Sequence, residues 1–384
     1  EIVGNLGEVR RTESASGMKP VSLSGADYYH LLIDRKIQRF GLAGNISRVH
    51  LQLDQATDLQ AICENLESNA YLQEASNINY KMRWPLPPKW VKVKNRKPCI
   101  IFSSELSKQA FNQQILNQTV NNKKGLVCID LCTLTDGSKH LVVSMPHALF
   151  DHQGMMNFIA ALNNTYEGEL FATGNTNHSV LTKAASAFKM TLYMLTRGSA
   201  KLGSLLRSNR AIAAVPNYQI LTFSKEQSKQ IEQNAWQAGS RIGTSAFLIS
   251  ATAKSVDKTL TQRGKKPAYL WFSTPHKQRK IGAQKSLFSN QLSFLFCKLD
   301  ATALATTNNA VNALNNQLRD QIKNRVVERY GHLMDALKLV PLFVYEQMVD
   351  VASRGKLASF GFSDLGQDQL DLTAFCGVGV EQVF

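Results

Sequence analysis

Two adjacent apolar runs constrain the fold of this chain most strongly, because together they predict a β-hairpin that leads directly into a helix. Residues 125–134 and 140–145 are rich in apolar and β-branched side chains, which favour strands. The segment between them contains Asp136-Gly137, a dipeptide typical of tight hairpin turns. After Gly154, apolar residues recur at helical spacing, at Met155, Met156, Phe158, Ile159 and Leu162. A sheet covered by helices is therefore expected.

The rest of the 384-residue chain also alternates between strand and helix patterns. Further strands are predicted at 46–53, 218–223, 269–274, 291–299, 357–362 and 374–383. Helices are predicted at 24–40, 58–70, 182–210, 245–261, 304–323 and 332–352, with one more opened by the capping-box spacing at Ser224. Because this length suits two domains, we predict an α/β protein with an N-terminal subdomain at 1–175, a basic helical crossover at 176–215 and a C-terminal subdomain at 216–384.

The formal net charge of +15 predicts an anionic partner, since such a field attracts nucleic acid, anionic lipid or the phosphates of coenzyme A. Residues 81–97 concentrate this charge and interleave it with aromatic side chains, a pattern that can bind single-stranded nucleic acid. Because Pro85, Pro87 and Pro88 interrupt the run, we favour a solvated loop or an anion-facing edge, and nucleic acid is not the expected partner. The sequence has no Gly-rich phosphate loop, which disfavours nucleoside triphosphate and nicotinamide enzymes.

The six cysteines indicate a reducing compartment, because they form no Cys-x-x-Cys pair and no spacing with histidine that suits zinc. We therefore expect free thiols, no bound metal and a cytoplasmic protein. No run of eighteen uncharged apolar residues is present, so no membrane-spanning helix is expected. The basic amphipathic pattern at 182–210 favours a crossover helix packed on the body and leaves peripheral membrane contact open. An upstream segment also stays open, because the chain begins at Glu1.

The candidate catalytic residue is His147, which lies on the predicted loop between the second hairpin strand and the helix. Loops at the ends of strands commonly carry functional groups. A histidine titrates near neutrality, so it can accept a proton from a hydroxyl or an amine. Asp151 follows four residues later. Since a His-x3-Asp spacing is common by chance, these two residues alone favour an ordinary surface loop.

Five segments, however, resemble elements of the coenzyme A-dependent acyltransferase superfamily, which includes chloramphenicol acetyltransferases, nonribosomal peptide condensation domains and wax ester synthase/diacylglycerol acyltransferases. Residues 144–154 are similar to the family's His-His-x3-Asp-Gly motif, whose second histidine aligns with His147. The other four are 274–279, similar to Pro-x3-Arg; 289–295, similar to Gly-Asn-x-Val-Ser; 362–366, similar to Ser-Asn-Leu-Gly; and 23–27, similar to Leu-Ser-x-x-Asp.

The resemblance implies two similar chloramphenicol acetyltransferase-like subdomains, each a mixed sheet with flanking helices, and an active-site channel between them. His147 would then be the general base that takes the proton of an alcohol or amine acceptor as it attacks a pantetheine thioester. The donor would be acyl-coenzyme A or an acyl carrier protein, with no tightly bound cofactor. Asp151 would be a buried structural anion paired with Arg279, and Asn290 or Ser293 would line the channel and donate to the oxyanion.

Several features keep alternatives open. Arg279 belongs to a charged run that is equally consistent with a solvated surface, and Asn290 is equally suited to brace a strand end. Pro146 stands at the first histidine of the family motif and His152 at its glycine, and relatives continue past the position of Phe384. The main alternative is therefore a catalytically degenerate relative that acts as a binding or membrane-associated module. A nucleic-acid binder that uses residues 81–97 is the third hypothesis.

Overall fold

The computed structural model describes residues 19–115, 117–120, 125–171, 179–197, 202–205, 220–241, 243–279, 286–353, 358–364 and 372–384. The strands in these ranges are β1 (Val21–Ser22), β2 (Ile46–Leu53), β3 (Ile78–Arg83), β4 (Leu86–Lys92), β5 (Cys99–Leu106), β6 (Cys128–Leu134), β7 (Lys139–Pro146), β8 (Glu169–Phe171), β9 (Tyr269–Lys277), β10 (Ser286–Phe288), β11 (Leu292–Asp300), β12 (Phe360–Gly361), β13 (Ala374–Phe375) and β14 (Val378–Val383).

The helices in the same ranges are α1 (Gly25–Gln38), α2 (Leu59–Ser68), α3 (Ala70–Ser76), α4 (Lys108–Ala110), α5 (His152–Leu162), α6 (Val180–Arg197), α7 (Lys225–Gln237), α8 (Ser245–Gln262), α9 (Ala301–Leu304), α10 (Thr307–Lys323), α11 (Val326–Leu337) and α12 (Leu342–Ser353). A short π-helical turn, Phe111–Ile115, follows α4.

The larger sheet is built around the predicted hairpin. Strands β6 and β7 pair antiparallel, with Cys128 opposite Ser144 at one end and Thr133 opposite Lys139 at the other. Strand β2 pairs with the other edge of β7, and the full order is β13-β14-β2-β7-β6-β5. Because β6 and β7 are buried along nearly their whole length, they form the centre of the largest core. The predicted hairpin and the helix that follows it are confirmed.

The smaller sheet lies in the second half of the chain, in the order β11-β9-β12. Strands β9 and β11 pair antiparallel from Leu292 opposite Lys277 to Asp300 opposite Tyr269, whereas β12 runs parallel to β9. Helices α8 and α10 pack against this sheet and supply its core together with β9 and β11. The expected α/β architecture with two mixed sheets is confirmed. In the described residues, however, the halves differ in size, with six strands in one sheet and three in the other.

Several elements cross between the two halves. Strand β8 from the first half pairs in parallel with β10 from the second, with Glu169 opposite Ser286. Strand β14, at the end of the chain, pairs with β2 of the larger sheet, and α11 packs against α1. Residues 372–384 therefore lie in the N-terminal sheet, although the sequence placed all of 216–384 in the C-terminal subdomain. The pairing satisfies the backbone groups that β2 would otherwise leave open at an edge, and no local pattern predicts it.

Other local predictions need correction. The helix expected at 58–70 is two helices, because the Asn69 side chain accepts from the N–H of Leu72 and starts α3. The helix expected at 332–352 is also two helices, α11 and α12, interrupted next to Pro341, which cannot donate a helical hydrogen bond. The basic run at 81–97, expected as a loop or edge, contains most of the β3–β4 hairpin. Residues 220–223 are not a strand, and 218–219 lie outside the described residues.

The crossover is helical over α6, and residues 198–201 and 206–210 of the prediction lie outside the described part of the chain. Ala187 and Met190 of α6 are buried, and the helix packs along α11. This packing agrees with a crossover helix that lies on the body. None of the helices in the described ranges is long and apolar enough to cross a bilayer.

Candidate active site

The loop that carries His147 is a tight turn at the end of β7. The carbonyl oxygen of Pro146 accepts from the backbone N–H groups of Leu149, at 3.0 Å, and Phe150, at 3.3 Å. The N–H of His147 donates to the carbonyl oxygen of Asn45 at 2.9 Å, which ties the turn to the segment before β2. These backbone bonds fix the turn, and Pro146, which has no N–H to donate, fits at the end of its strand.

Asp151 ends the loop and caps α5, where its Oδ1 accepts from the N–H of Gly154 at 2.8 Å. The same carboxylate forms a two-bond ion pair with Arg279, Nη2 to Oδ1 at 2.6 Å and Nε to Oδ2 at 2.9 Å. Both side chains are only 2% exposed. Gln291 N–H also donates to Oδ2, at 3.1 Å. The Asp151–Arg279 pair expected from the resemblance is therefore present, and the alternative of a solvated Arg279 is wrong. Two parallel hydrogen bonds of this kind are strong and directional, so the pair holds the His147 loop against the second half of the chain.

The guanidinium of Arg279 also holds β10, because its Nη1 donates to Ser286 O at 3.0 Å and to Ser286 Oγ at 2.8 Å. Gly154 lets α5 lie close to β10 and to Arg279. A Cβ at this position would overlap the carbonyl oxygen of Leu287 and lie 3.1 Å from Arg279 Nη2. His152, which stands at the glycine of the family motif, is the half-buried first residue of α5. Its bulk is therefore accommodated in the first helical turn.

The imidazole of His147 is half-buried and stacks on the imidazole of His30, a residue of α1. The ring centroids are 4.1 Å apart and the planes differ by 8°. Asn45 Nδ2 lies 2.9 Å from His30 Nδ1, and because an amide NH₂ only donates, Nδ1 is the acceptor and the His30 proton lies on Nε2. Nε2 is buried and has no hydrogen-bond partner among the described residues.

Both imidazoles are more easily deprotonated than a histidine in water. Burial lowers the pKa of His147, while backbone hydrogen bonding and the negative charge of Asp151 act in the opposite direction. Burial, together with a positive charge on His147, lowers the pKa of His30 well below its ordinary value. Both rings are therefore neutral at neutral pH, and a neutral imidazole is the form that can accept a proton.

His147 lies where the two halves meet. Phe294 of β11 contacts His30 and Tyr29 of α1, with ring centroids 6.5 Å and 5.3 Å apart. A narrow crevice runs beside the loop and is bordered by residues of both the loop and the β3–β4 hairpin, including Asn45, Tyr80, Trp90, Pro146 and Ala148. His147 itself is not among the residues that border this crevice, and all of those residues precede position 149, so the crevice is not the channel expected between the two halves.

No protein-family model and no curated protein matches the sequence, but solved structures share its fold. The first condensation domain of the calcium-dependent antibiotic synthetase, in complex with substrate analogue 3a, has a TM-score of 0.61 at 14% identity over 91% of this chain and 80% of that chain. TRI101 of F. graminearum, complexed with coenzyme A and deoxynivalenol, has a TM-score of 0.60 at 10% identity over 96% and 89%. Polyketide synthase associated protein 5 from Mycobacterium tuberculosis has a TM-score of 0.55 at 13% identity, over 95% of this chain and 87% of that chain. The chain has the chloramphenicol acetyltransferase-like fold.

Within this chloramphenicol acetyltransferase-like fold, the two residues expected to donate to an oxyanion have other acceptors. The Asn290 amide donates to the carbonyl oxygens of His147, at 2.6 Å, and Ala148, at 2.9 Å. The Ser293 hydroxyl is fully buried and donates to the carbonyl oxygen of Val327 at 2.6 Å. Their donor hydrogens are committed, so neither residue is left as an oxyanion donor in this structure. Asn290 braces the His147 loop, whereas the alternative interpretation had it brace a strand end.

Ser289 stands where the Gly-Asn-x-Val-Ser element of the resemblance has glycine. Its φ of 79° lies in the left-handed region that glycine favours. Two hydrogen bonds hold it there: its N–H donates to Leu149 O at 2.8 Å, and its hydroxyl donates to Asp27 Oδ2 at 3.2 Å. The unusual backbone conformation thus lets β11 enter beside the His147 loop.

The Leu-Ser-x-x-Asp element at 23–27 supports the site through Asp27, which is fully buried. Its carboxylate accepts from Ser24 N–H at 2.8 Å, Asn290 N–H at 2.6 Å and Trp90 Nε1 at 3.0 Å. Desolvation outweighs these bonds and raises the pKa of Asp27 to about 6. Trp90 itself is buried, so this aromatic residue of the basic run cannot stack on a nucleic-acid base.

Sequence reasoning missed His30, Asn45 and Trp90 as neighbours of the site. His30 follows the Leu-Ser-x-x-Asp element by one helical turn, which is the one signal that could have placed it near the loop. The remaining element, 362–366, is described only to Asp364, whose carboxylate accepts from the Ser245 hydroxyl. Leu365 and Gly366 lie outside the described residues.

Proposed function

We propose that this chain is an acyltransferase that moves an acyl group from a pantetheine thioester to a hydroxyl or amine acceptor, with His147 as the general base. One observation carries the proposal: a neutral, half-buried imidazole lies at the junction of the two halves, on a loop locked by the buried Asp151–Arg279 pair. A chance surface His-x3-Asp has no reason to be held in this way.

In the proposed reaction the acceptor oxygen or nitrogen attacks the thioester carbonyl carbon while a ring nitrogen of His147 takes its proton. The tetrahedral intermediate then collapses, the carbon–sulfur bond breaks, and His147 returns the proton to the leaving thiolate. Since burial lowers the pKa of His147, the imidazole is in its accepting form at neutral pH. Such proton transfer typically contributes about 10²–10⁴-fold to the rate.

The other residues of the site have positioning roles in this proposal. Asp151 and Arg279 hold the loop, and Asn290 fixes the backbone carbonyl of His147. His30 sets the plane of the His147 ring by stacking on it. Its Nε2 is buried and has no hydrogen-bond partner among the described residues.

The proposed donor is acyl-coenzyme A or an acyl carrier protein. The formal net charge of +15 favours a ligand that carries phosphates. TRI101, a protein of the same fold, was solved with coenzyme A bound. The proposed chemistry uses neither a metal ion nor a tightly bound cofactor.

A catalytically degenerate module of the same fold is the second candidate. Pro146 and His152 favour it, because they replace the first histidine and the glycine of the family motif. The structure accommodates both residues without displacing His147 from the junction between the halves. We therefore place catalysis first.

The test is release of free thiol from acyl-coenzyme A and from acylated pantetheine, for acetyl and long acyl chains, with pooled alcohols and amines as acceptors. We expect release by the native chain and a loss of about 10²-fold or more in His147→Ala. His276→Ala is the matched control, because this imidazole lies exposed on β9. Thiol release that persists in His147→Ala would refute the general base. No release for any donor would favour the degenerate module.

A further inference from the structure

The β3–β4 hairpin carries a charged and apolar tip that the proposed reaction does not use. We call residues 81–86, together with Lys89, the basic tip. All of residues 81–86 are exposed, and so is Lys89. Between residues 75 and 104 the chain has seven cations and no carboxylate, the cations being Lys81, Arg83, Lys89, Lys92, Lys94, Arg96 and Lys97. The tip is thus a local concentration of positive charge.

Three large apolar side chains project from the same tip. Met82 is 45% exposed, Trp84 68% and Leu86 59%. Side chains of this size are rarely left together in water unless they meet a partner. Tryptophan in particular favours boundaries that are apolar on one side and wet on the other.

The charges of the basic tip are not balanced within the protein. Lys81 lies directly opposite Lys89 in the β3–β4 register, and like charges in that position destabilise a strand pair. In the described part of the chain, no carboxylate pairs with Lys81, Arg83 or Lys89. An anionic surface would remove this repulsion.

The base of the hairpin is rigid although its tip is exposed. Trp90 is fully buried and donates to the Asp27 carboxylate. The carbonyl oxygen of Pro88 accepts from Leu23 N–H at 3.0 Å. The hairpin thus presents its tip without having to order it first, which lowers the entropic cost of docking.

We infer that the basic tip docks on an anionic lipid bilayer. Met82, Trp84 and Leu86 enter the interfacial region, while Lys81, Arg83 and Lys89 contact lipid phosphates. Single-stranded nucleic acid fits the surface less well, because Trp84 is the one exposed aromatic ring among these residues and Met82 and Leu86 offer no face for base stacking. This inference does not depend on acyl transfer.

The experiment is co-sedimentation of the full chain with phosphatidylcholine vesicles, with and without about one-third phosphatidylglycerol. We expect binding to the anionic vesicles alone, weakened by salt. A charge variant, Lys81→Gln with Arg83→Gln and Lys89→Gln, should lower the partition coefficient about fivefold per cation. An apolar variant, Met82→Ser with Trp84→Ser and Leu86→Ser, should lower it roughly tenfold or more.

Two controls separate the tip from other exposed apolar surface. Trp236→Ser removes a tryptophan that is 58% exposed on α7. The second is a triple serine variant of the outer face of α6, at Leu181, Phe188 and Leu192, which are all exposed. Both should bind vesicles like the native chain, and thermal unfolding checks that every variant folds.

The inference is overturned if the native chain ignores anionic vesicles, or if the α6 variant loses binding while both tip variants keep it. It is also overturned if the tip variants lose affinity for a thymidine oligonucleotide and bind vesicles unchanged. Because vesicle binding does not require His147, the result is independent of the outcome of the thiol-release assay.

Discussion

The imidazole rings of His30 and His147 lie parallel, with their centroids 4.1 Å apart. At this distance a positive charge on one ring opposes a charge on the other, so the pair holds at most one added proton near neutral pH. Because the pKa of His30 is lowered furthest, an added proton goes to His147. The stack therefore orients the His147 ring and keeps a second, neutral imidazole beside it.

This arrangement predicts the pH dependence of acyl transfer. In the proposed mechanism the neutral form of His147 is the active one, and burial lowers the pKa of this residue from its ordinary value of 6.5. The rate constant kcat/KM should therefore be flat at pH 7 and fall about tenfold per pH unit once the pH drops below that lowered pKa. The pH profile of thiol release measures this limb, and a limb centred above pH 7 would contradict the assignment.

Replacement of His30 should shift the acidic limb of this pH profile. His30→Ala opens space beside His147 and lets water reach the ring, so the pKa of His147 should rise toward 6.5 and the acidic limb should shift to higher pH. If the acidic limb of His30→Ala stays at the pH of the native chain, His30 does not tune the pKa of His147 and is merely structural. The measurement is the pH profile of kcat/KM for His30→Ala. The control is His276→Ala, which removes an exposed imidazole and should leave the acidic limb of the profile in place.

The Asp151–Arg279 pair predicts a large effect on stability. Asp151→Ala leaves a buried guanidinium without its carboxylate and should lower the free energy of unfolding by about 3–5 kcal/mol. The exposed pair between Arg325 and Glu328, 4.0 Å apart, is the control, because Glu328→Ala should change stability by less than about 1 kcal/mol. Urea unfolding measures both. Equal effects in the two variants would show that the loop is not anchored by this ion pair.

The sequence was sufficient to predict the parts of the molecule that local patterns determine. The β6–β7 hairpin followed from two apolar runs and an Asp-Gly turn, and α5 from helical spacing. His147, Asp151 and Arg279 were predicted from short segments that resemble the family's elements and occur in the same order along the chain. The structure brings these three residues together. Local geometry and order along the chain are properties that a sequence carries directly.

Contacts between distant segments could not be predicted in this way. His30 and His147 are far apart in the chain, and only the place of His30 one helical turn after the Leu-Ser-x-x-Asp element hints that it faces the loop. The place of β14 at the edge of β2 depends on which strand reaches an open edge, and alternation predicts a strand but not its neighbour. Trp90 looked like a surface aromatic because it lies among lysines, but its indole packs in the largest core and donates to Asp27.

Gly154→Ala tests the close approach of α5 to β10. Alanine favours a helix over glycine by about 1 kcal/mol, but here the added Cβ would overlap the carbonyl oxygen of Leu287. Because that atom belongs to the backbone, the clash should prevail and cost about 1–3 kcal/mol. Gly361→Ala is the control, since its Cβ would meet nothing within 4 Å. An unchanged or raised unfolding midpoint for Gly154→Ala would contradict this packing.

Asp27 predicts how stability varies with pH. Burial raises its pKa from 3.8 to about 6 in the folded state, so between these two values the folded protein binds more protons than the unfolded one. Its contribution to the free energy of unfolding should therefore fall as the pH rises from about 4 to 6, by roughly 3 kcal/mol, and stay constant above that window.

Asp27→Asn, which cannot ionise, tests this pH dependence. It should flatten the slope of unfolding free energy against pH in this window, even though its amide fits the surrounding donors poorly. Asp136→Asn is the contrast, because hydrogen bonds from Ser138 lower the pKa of that exposed carboxyl and its effect should lie below pH 4. Urea unfolding at pH 4 to 7 measures the slopes, and an identical slope for native chain and Asp27→Asn would mean that Asp27 stays ionised in the folded protein.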